Sequence, residues 1–282
     1  MVVGAVRTDS APGLRLMAVH AHPDDESTST GGILARYALE GVQTIVATCT
    51  NGELGDGPGG VKPGAEGHHT HQVAKTRLAE LRTACQHLGV THLELLGYHD
   101  SGIADWDHRH RPDVFCNVPI DTAAARLAQL IEHYRPQVVV TYDPGRTSQH
   151  PDHLHAARAT ALAVKTSGIP AKMYFTAHGT TYWHRVNQAL AKVGIQRQIP
   201  DPDLLERIEQ RITTTVDVSH VIKRKRTALH AHASQIGSSL AGKLPVDLFT
   251  HAFSTETYIR AHDTTGSPPF ENDLFTGLAA SW

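Results

Sequence analysis

Residues 14–26 read LRLMAVHAHPDDE, an apolar run that breaks into a proline and three carboxylates. The segment Leu14–His20 has the length and composition of a buried strand, and the proline and charges after it end the run. Four further runs share its character: Gln43–Thr50 (QTIVATCT), His92–Tyr98 (HLELLGY), Gln137–Tyr142 (QVVVTY) and Lys172–Ala177 (KMYFTA). Between them, Gly32–Leu39, Gln72–Leu88 and Thr122–Tyr134 carry apolar residues at helical spacing. Buried strands alternating with helices predict an α/β fold with a Rossmann-like, doubly wound, mainly parallel sheet.

The pattern changes after about Thr180. Tyr182–Val193, Asp203–Ile212 and Val218–Gln235 read as helices, and Arg211–Val218 as one more strand. Asp201-Pro202-Asp203 is a helix-start signal for the second of these. The expected organisation is a core over residues 1–180 and a mostly helical region, 181–282, that closes over the functional edge of the sheet. The two are expected to form one compact unit. No internal repeat or low-complexity tract interrupts them, and the long Gly- and His-rich loop Asn51–His71 is of the kind that carries function in compact enzymes.

Composition narrows the function classes. The 282 residues are 40% hydrophobic and 19% charged, with a formal net charge of −2. That is enough chain for one large α/β domain, or a core with an appendage. The near-neutral balance leaves no electrostatic footprint for nucleic acid or an anionic membrane. No apolar run approaches the roughly 18 residues of a membrane span. Met1–Gly13 lacks a basic start and an apolar stretch of secretory type, so a cytoplasmic location is expected. A homo-oligomer is compatible with all of this. Cys49, Cys85 and Cys116 are widely spaced and read as reduced, buried thiols. The 21 histidines direct attention to metal chemistry, because imidazole is the commonest metal ligand.

Two motifs carry that chemistry. His22-Pro23-Asp24-Asp25-Glu26 follows the first strand, and His150-Pro151-Asp152-His153 lies eight residues beyond Tyr142. Ligands of an open parallel sheet bind outside the carboxyl ends of its strands, so both motifs fall on one edge. Pro151 suits the first position of a helix continuing through Leu154–Val164, with His150 at its cap and His153 in its first turn. Asp152, at the positive helix end, is expected to stay ionised and to orient a neighbouring imidazole. Hydrolytic zinc takes three nitrogen or oxygen ligands and keeps one place for water. His22, Asp25 and one histidine of the second motif meet that count. Mg²⁺ favours more oxygen ligands, so one Zn²⁺ per chain is the expectation, with Fe²⁺ and Co²⁺ as alternatives.

Other features weigh less. Glu53, in Asn51-Gly52-Glu53, reads equally as a substrate contact or part of a turn. Gly55–Gly60 lacks the Lys-Ser/Thr of a phosphate loop. His68, His69 and His71 read as a solvated loop, and Lys223–Arg226 as a solvated helix face. His230 and His232, two apart, cannot share a helix face; His232 is the one expected to reach substrate.

The two motifs resemble those of the LmbE/PIG-L-like zinc N-deacetylases. Arg77-x-x-Glu80 before Leu88-Gly89, Gly97-Tyr98-His99-Asp100-Ser101-Gly102, Ala231-His232-Ala233-Ser234-Gln235 and Glu271-x-Asp273-Leu274-Phe275-x-Gly277-Leu278 extend the resemblance over most of the chain. It is nearest to the mycothiol branch, which includes N-acetylglucosaminyl-inositol deacetylases and mycothiol S-conjugate amidases. The resemblance implies metal ligands His22, Asp25 and His153, with Asp24 as general base. It makes His150, in protonated form, the residue that stabilises the oxyanion or protonates the leaving amine, and Asp152 joins this catalytic group. Arg77 would help hold a polyol substrate, with Glu53, Asp100 and His232 as further contacts. One departure stands out: the mycothiol-precursor deacetylases carry tyrosine where this chain has Ser148.

The implied function is removal of an N-acetyl group from a small amino-sugar compound. Its alternatives are an amidase cleaving a larger acyl group from a glucosaminide and a deacetylase that tailors a secondary metabolite. A non-catalytic sugar binder would not need Asp24 and His150. A dinucleotide oxidoreductase would need Gly-x-Gly-x-x-Gly after the first strand.

Overall fold

The computed structural model describes residues 13–103, 107–145 and 150–278. Ser148 and the start of the loop Trp106–Cys116 lie outside the described residues. In chain order the elements are β1 (Arg15–His20), α1 (Asp25–Ser29), α2 (Gly31–Leu39), β2 (Gln43–Thr50), α3 (Thr70–Leu88), β3 (His92–Tyr98), α4 (Ile120–Tyr134) and β4 (Val138–Tyr142). There follow α5 (Pro151–Ser167), β5 (Lys172–Thr176), α6 (Thr180–Lys192), α7 (Pro202–Glu209), β6 (Thr214–Asp217), α8 (Ile222–Ala231), α9 (Val246–Phe253) and β7 (Thr255–Asp263).

The strands form one seven-stranded sheet in the order β3-β2-β1-β4-β5-β7-β6. The first five run parallel, whereas β7 is antiparallel to both β5 and β6. The strand order reverses at β1, which pairs with β2 on one side and β4 on the other, in register Met17↔Val139 and Ala18↔Val140. A crevice opens at such a reversal, and the two motifs follow these two strands.

Alternation along the strands feeds two cores, one on each face. Leu16 and Ala18 pack with Ile33, Leu34, Leu81 and Val140. Met17 and Val19 pack with Ile45, Phe115, Leu127, Ile131 and Val139. A third cluster, including Val186, Leu190, Leu229, Phe249 and Phe253, joins α6, α8 and α9.

The C-terminal region supplies the expected helices and more. Its β7 reads TETYIRAHD, so polar that its period-two alternation does not declare itself. It nevertheless inserts between β5 and β6, and residues on both sides of position 180 share one sheet. From β7, the Glu256 carboxylate accepts the backbone N–H groups of Gly32 and Ile33 at the start of α2 (2.8 and 2.9 Å) and pairs with Lys225 at 2.6 Å. Lys225 is therefore buried, unlike the solvated face expected for Lys223–Arg226. The helix expected to run to Gln235 ends at Ala231, where a series of turns begins at Ala233. Among the described residues, no helix is long and apolar enough to cross a membrane.

Candidate metal centre

The turn after β1 is built around an unusual backbone. Asp24 has φ +112° and ψ −23°, a conformation that costs a non-glycine residue roughly 1–3 kcal/mol. Several bonds hold it there. Glu26 accepts the Asp24 N–H at 2.9 Å, and Arg77 donates to the Pro23 carbonyl and, at 3.0 Å, to the Asp24 carboxylate. Arg77 also donates to the Gly52 carbonyl at 2.7 Å. Gly52 must be glycine: its φ is +64°, and a Cβ would sit 2.4 Å from Arg77 Nη1. The kinked turn brings Asp25 back so that its Oδ2 accepts the His22 N–H at 2.9 Å.

The second motif comes from the start of α5. Pro151 occupies the first helical position, and the capping His150 accepts the Asp152 N–H on Nδ1 at 3.2 Å. His153 follows in the first turn, stacked on the Tyr142 ring with centroids 4.2 Å apart.

The motifs meet at Asp25, whose Oδ2 lies 3.4 Å from His22 Nδ1 and 3.3 Å from His153 Nε2. One donor atom each from His22, Asp25 and His153 fall within 4.8 Å of one another. A second such group, His22, Asp100, His150 and Asp152, shares His22. Hydrogen bonding assigns the two faces of that ring. Its Nε2 points at Asp152 Oδ2 (3.2 Å), which also accepts the Ser101 N–H at 2.9 Å, while Asp152 Oδ1 accepts the Ser101 hydroxyl. A ligating imidazole commonly gives its other N–H to a carboxylate, which fixes the tautomer. Asp152 thus orients His22, and Nδ1 faces Asp25 and His153.

The electrostatics fit a cation. Burial opposes a charged His22, but Asp100, Asp152 and Asp25 outweigh it and hold the ring well above its ordinary value. Burial likewise opposes an ionised Asp25, yet His153 and His22 keep its carboxyl well below the usual range. Such a negative, nitrogen-and-oxygen cradle suits a divalent ion. Burial raises Asp24, opposed by Arg77 and reinforced by Asp25. His150 is pushed down to about 3, first by burial and then by His22. Both causes work against the protonated form expected of His150, whose Nδ1 accepts the Asp152 amide and leaves Nε2 for other partners.

The expected substrate contacts divide. Arg77 and Asp100 line the cavity over His22, Asp24, Asp25, His150 and His153. Arg77 is already engaged by the Asp24 turn, and Asp100 Oδ1 lies 3.5 Å from His22 Nε2. Glu53 lines the adjoining cavity with Asn51, His71, His99 and Arg111, pairing with His99 at 2.6 Å. His232 pairs with buried Glu26 at 2.8 Å and lines a further cavity with Asp24 and Asp25. Tyr142 and Ser101 went unread in the sequence. Tyr142 donates to Asp25 Oδ2 and accepts the Ala21 N–H, both at 2.7 Å; burial and then Asp25 keep its phenol protonated. Ser101 does carry a signal, being part of the quoted His99-Asp100-Ser101-Gly102.

A family model described as PIG-L, GlcNAc-PI de-N-acetylase, matches residues 17–164. A 1D-myo-inositol 2-acetamido-2-deoxy-alpha-D-glucopyranoside deacetylase of Streptomyces avermitilis is 36% identical, with 95% of this chain and 98% of that protein covered. A protein of the same name from Acidothermus cellulolyticus is 37% identical, covering 93% and 94%. Among solved structures, the N,N'-diacetylchitobiose deacetylase of Pyrococcus horikoshii has the same fold, with a TM-score of 0.61 at 17% identity, over 88% of this chain and 84% of that one.

Proposed function

The chain belongs to the PIG-L family, and from that premise we propose that it is a zinc-dependent hydrolase removing the N-acetyl group of an N-acetylglucosaminyl polyol such as N-acetylglucosaminyl-inositol. The observation that carries this reading is the meeting of His22, Asp25 and His153 beside a second carboxylate, Asp24, outside that group, at the crevice where the strand order reverses. Similarity to relatives named as deacetylases of the acetamido-glucopyranoside of inositol supports the substrate class.

His22, through Nδ1, Asp25 and His153, through Nε2, would hold the ion. When bound, zinc supplies Lewis acidity toward the amide carbonyl and the attacking water. Asp24 takes the water proton as the oxygen attacks the acyl carbon, its raised affinity for protons suiting a general base. Neutral His150 donates from Nε2 to the oxygen on which negative charge gathers. As the C–N bond breaks, the proton passes to nitrogen, and the products are acetate and the free amine. Asp152 and Tyr142 hold His22 and Asp25 in place, and the Glu53–His99 side of the crevice offers polar partners for the polyol. Residues on both sides of position 180 act as one catalytic unit, and the free Cys49 and Cys85 fit a reducing, cytoplasmic setting.

The test offers zinc-loaded protein N-acetylglucosaminyl-inositol and a mycothiol S-conjugate in parallel, with products followed by mass spectrometry. Release of acetate from the first is expected. Cleavage of the second alone would overturn the acetyl assignment in favour of an amidase acting on a larger acyl group.

A further inference from the structure

Beyond the end of α8, three side chains reach elements around the metal centre. The Gln235 amide pairs with the N–H and the carbonyl of Asp56, both at 3.0 Å, and so closes the loop that carries Glu53. Ser234 donates its N–H and its hydroxyl to the Glu80 carboxylate of α3, both at 2.7 Å. His232 reaches α1: its Nε2 lies 2.8 Å from Glu26 Oε1, and both side chains are buried. Burial opposes a charged His232, but Glu26 outweighs it and holds the ring above its ordinary value.

The atoms of this pair are engaged by each other and by the turn. Glu26 Oε1 accepts from His232 and the Ser27 hydroxyl, and Oε2 accepts the Asp24 N–H at 2.9 Å. His232 lines the cavity beside Asp24, yet its Nε2 faces Glu26 and its Nδ1 is buried without a hydrogen-bond partner. A carboxylate bonded to a backbone N–H holds it about twice as strongly as a neutral acceptor does. That hold falls on the one residue of the site whose backbone is strained, Asp24 at φ +112°. Asp25 is fixed separately, by the His22 N–H at 2.9 Å and the Tyr142 hydroxyl at 2.7 Å.

We infer that Glu26 and His232 are positioning residues for Asp24: His232 fixes the Glu26 carboxylate, and that carboxylate fixes the Asp24 amide in the turn that places its side chain. The inference rests on the deacetylase reading, in which Asp24 is the base. It gives His232, 206 positions beyond Glu26, a role through Glu26 in place of the substrate contact expected of it.

The test follows acetate release from N-acetylglucosaminyl-inositol by zinc-loaded, full-length Glu26→Ala, His232→Ala and the double variant. A misplacement of about 1 Å costs on the order of 100-fold, so Glu26→Ala should lose about that in kcat, with KM within about twofold and zinc content unchanged. His232→Ala should lose less, and adding it to Glu26→Ala should cost nothing further, because the two act as a unit. Glu26→Gln keeps an acceptor for the Asp24 N–H and should recover most of the loss. If a single variant fails to fold, the double, which leaves no unpaired buried charge, should show the same loss in kcat at unchanged KM. Near-native kcat in Glu26→Ala or in the double variant overturns the inference. So does a rise in KM with His232→Ala that multiplies with Glu26→Ala, which would make His232 a substrate contact. Loss of zinc from Glu26→Ala also overturns it, by assigning Glu26 to the ligand Asp25. Ser234→Ala, which frees the same segment from Glu80, should lower Tm and leave kcat unchanged; an equal fall in kcat there would make the effect one of general stability and overturn the pairing. If wild type cleaves no amide the deacetylase reading fails, and a crystal structure of Glu26→Ala decides the positioning. Asp24 relaxed to negative φ and parted from Arg77, with Asp25 still on Tyr142, upholds it; Asp24 unmoved overturns it.

Discussion

An aspartate at positive φ must be pinned from several sides, and Asp24 is pinned by Glu26 through its amide and by Arg77 through its carboxylate and the preceding carbonyl. The strained turn sends two adjacent carboxylates to different partners: Asp25 faces the histidines and Asp24 faces Arg77, and on the proposed reading Asp24 is the one that exchanges protons. Asp24→Asn should lower kcat by about 10²–10⁴-fold with zinc content unchanged by elemental analysis; near-native turnover would remove Asp24 as the base. Tyr142 holds Asp25 by its hydroxyl, one step back from the ion that Asp25 would ligate on the proposed reading. Tyr142→Phe should weaken zinc binding by roughly 10–100-fold, read in a chelator competition, and unchanged affinity would show that the hydroxyl does not hold the ligand.

Elements set the limits of what the sequence discloses. His22, Asp25, His150 and His153 are legible because each follows an apolar run, and in an open parallel sheet such positions converge. The five parallel strands are legible from their short apolar runs, although β3, at the sheet edge, is half-buried rather than buried along most of its length. Tyr142 is not, because it reads as the end of a strand and its role depends on Asp25 reaching it from the neighbouring strand's turn. Arg77 reads as a substrate contact, but the bonds of its guanidinium to Gly52, Pro23 and Asp24, which hold the turn, are not legible in the sequence. Nor is β7 legible: its Thr, Glu, Arg, His and Asp conceal a strand whose Glu256 closes the start of α2. Removing that carboxylate leaves Lys225 buried and unpaired, so Glu256→Ala should cost about 3–5 kcal/mol, measured by urea unfolding of the metal-free protein. A loss below about 1 kcal/mol would mean that the tie between β7 and α2 contributes little.

At the scale of the molecule, the metal centre links stability to pH. The proton on His22 is held above its ordinary value of 6.5, so its contribution is complete below about that pH and is lost as pH rises through the raised value. The contribution of Asp25, held below 3.8, is complete above that value and is lost as pH falls through the lowered one. Metal-free protein should therefore be most stable at mildly acid pH. On the proposed reading zinc would take the place of the His22 proton and bind more tightly as pH rises. Chelation should lower Tm more at pH 8 than at pH 6, and equal decrements at the two would show that His22 does not couple metal to proton.

The most direct test lies in the choice between the two donor groups that share His22. A zinc-soaked crystal, measured at the zinc absorption edge, should give one anomalous peak within bonding distance of His22 Nδ1, the Asp25 carboxylate and His153 Nε2. A peak among Asp100, His150 and Asp152 instead would contradict the account, because it would place the ion on the face of His22 that Asp152 now holds.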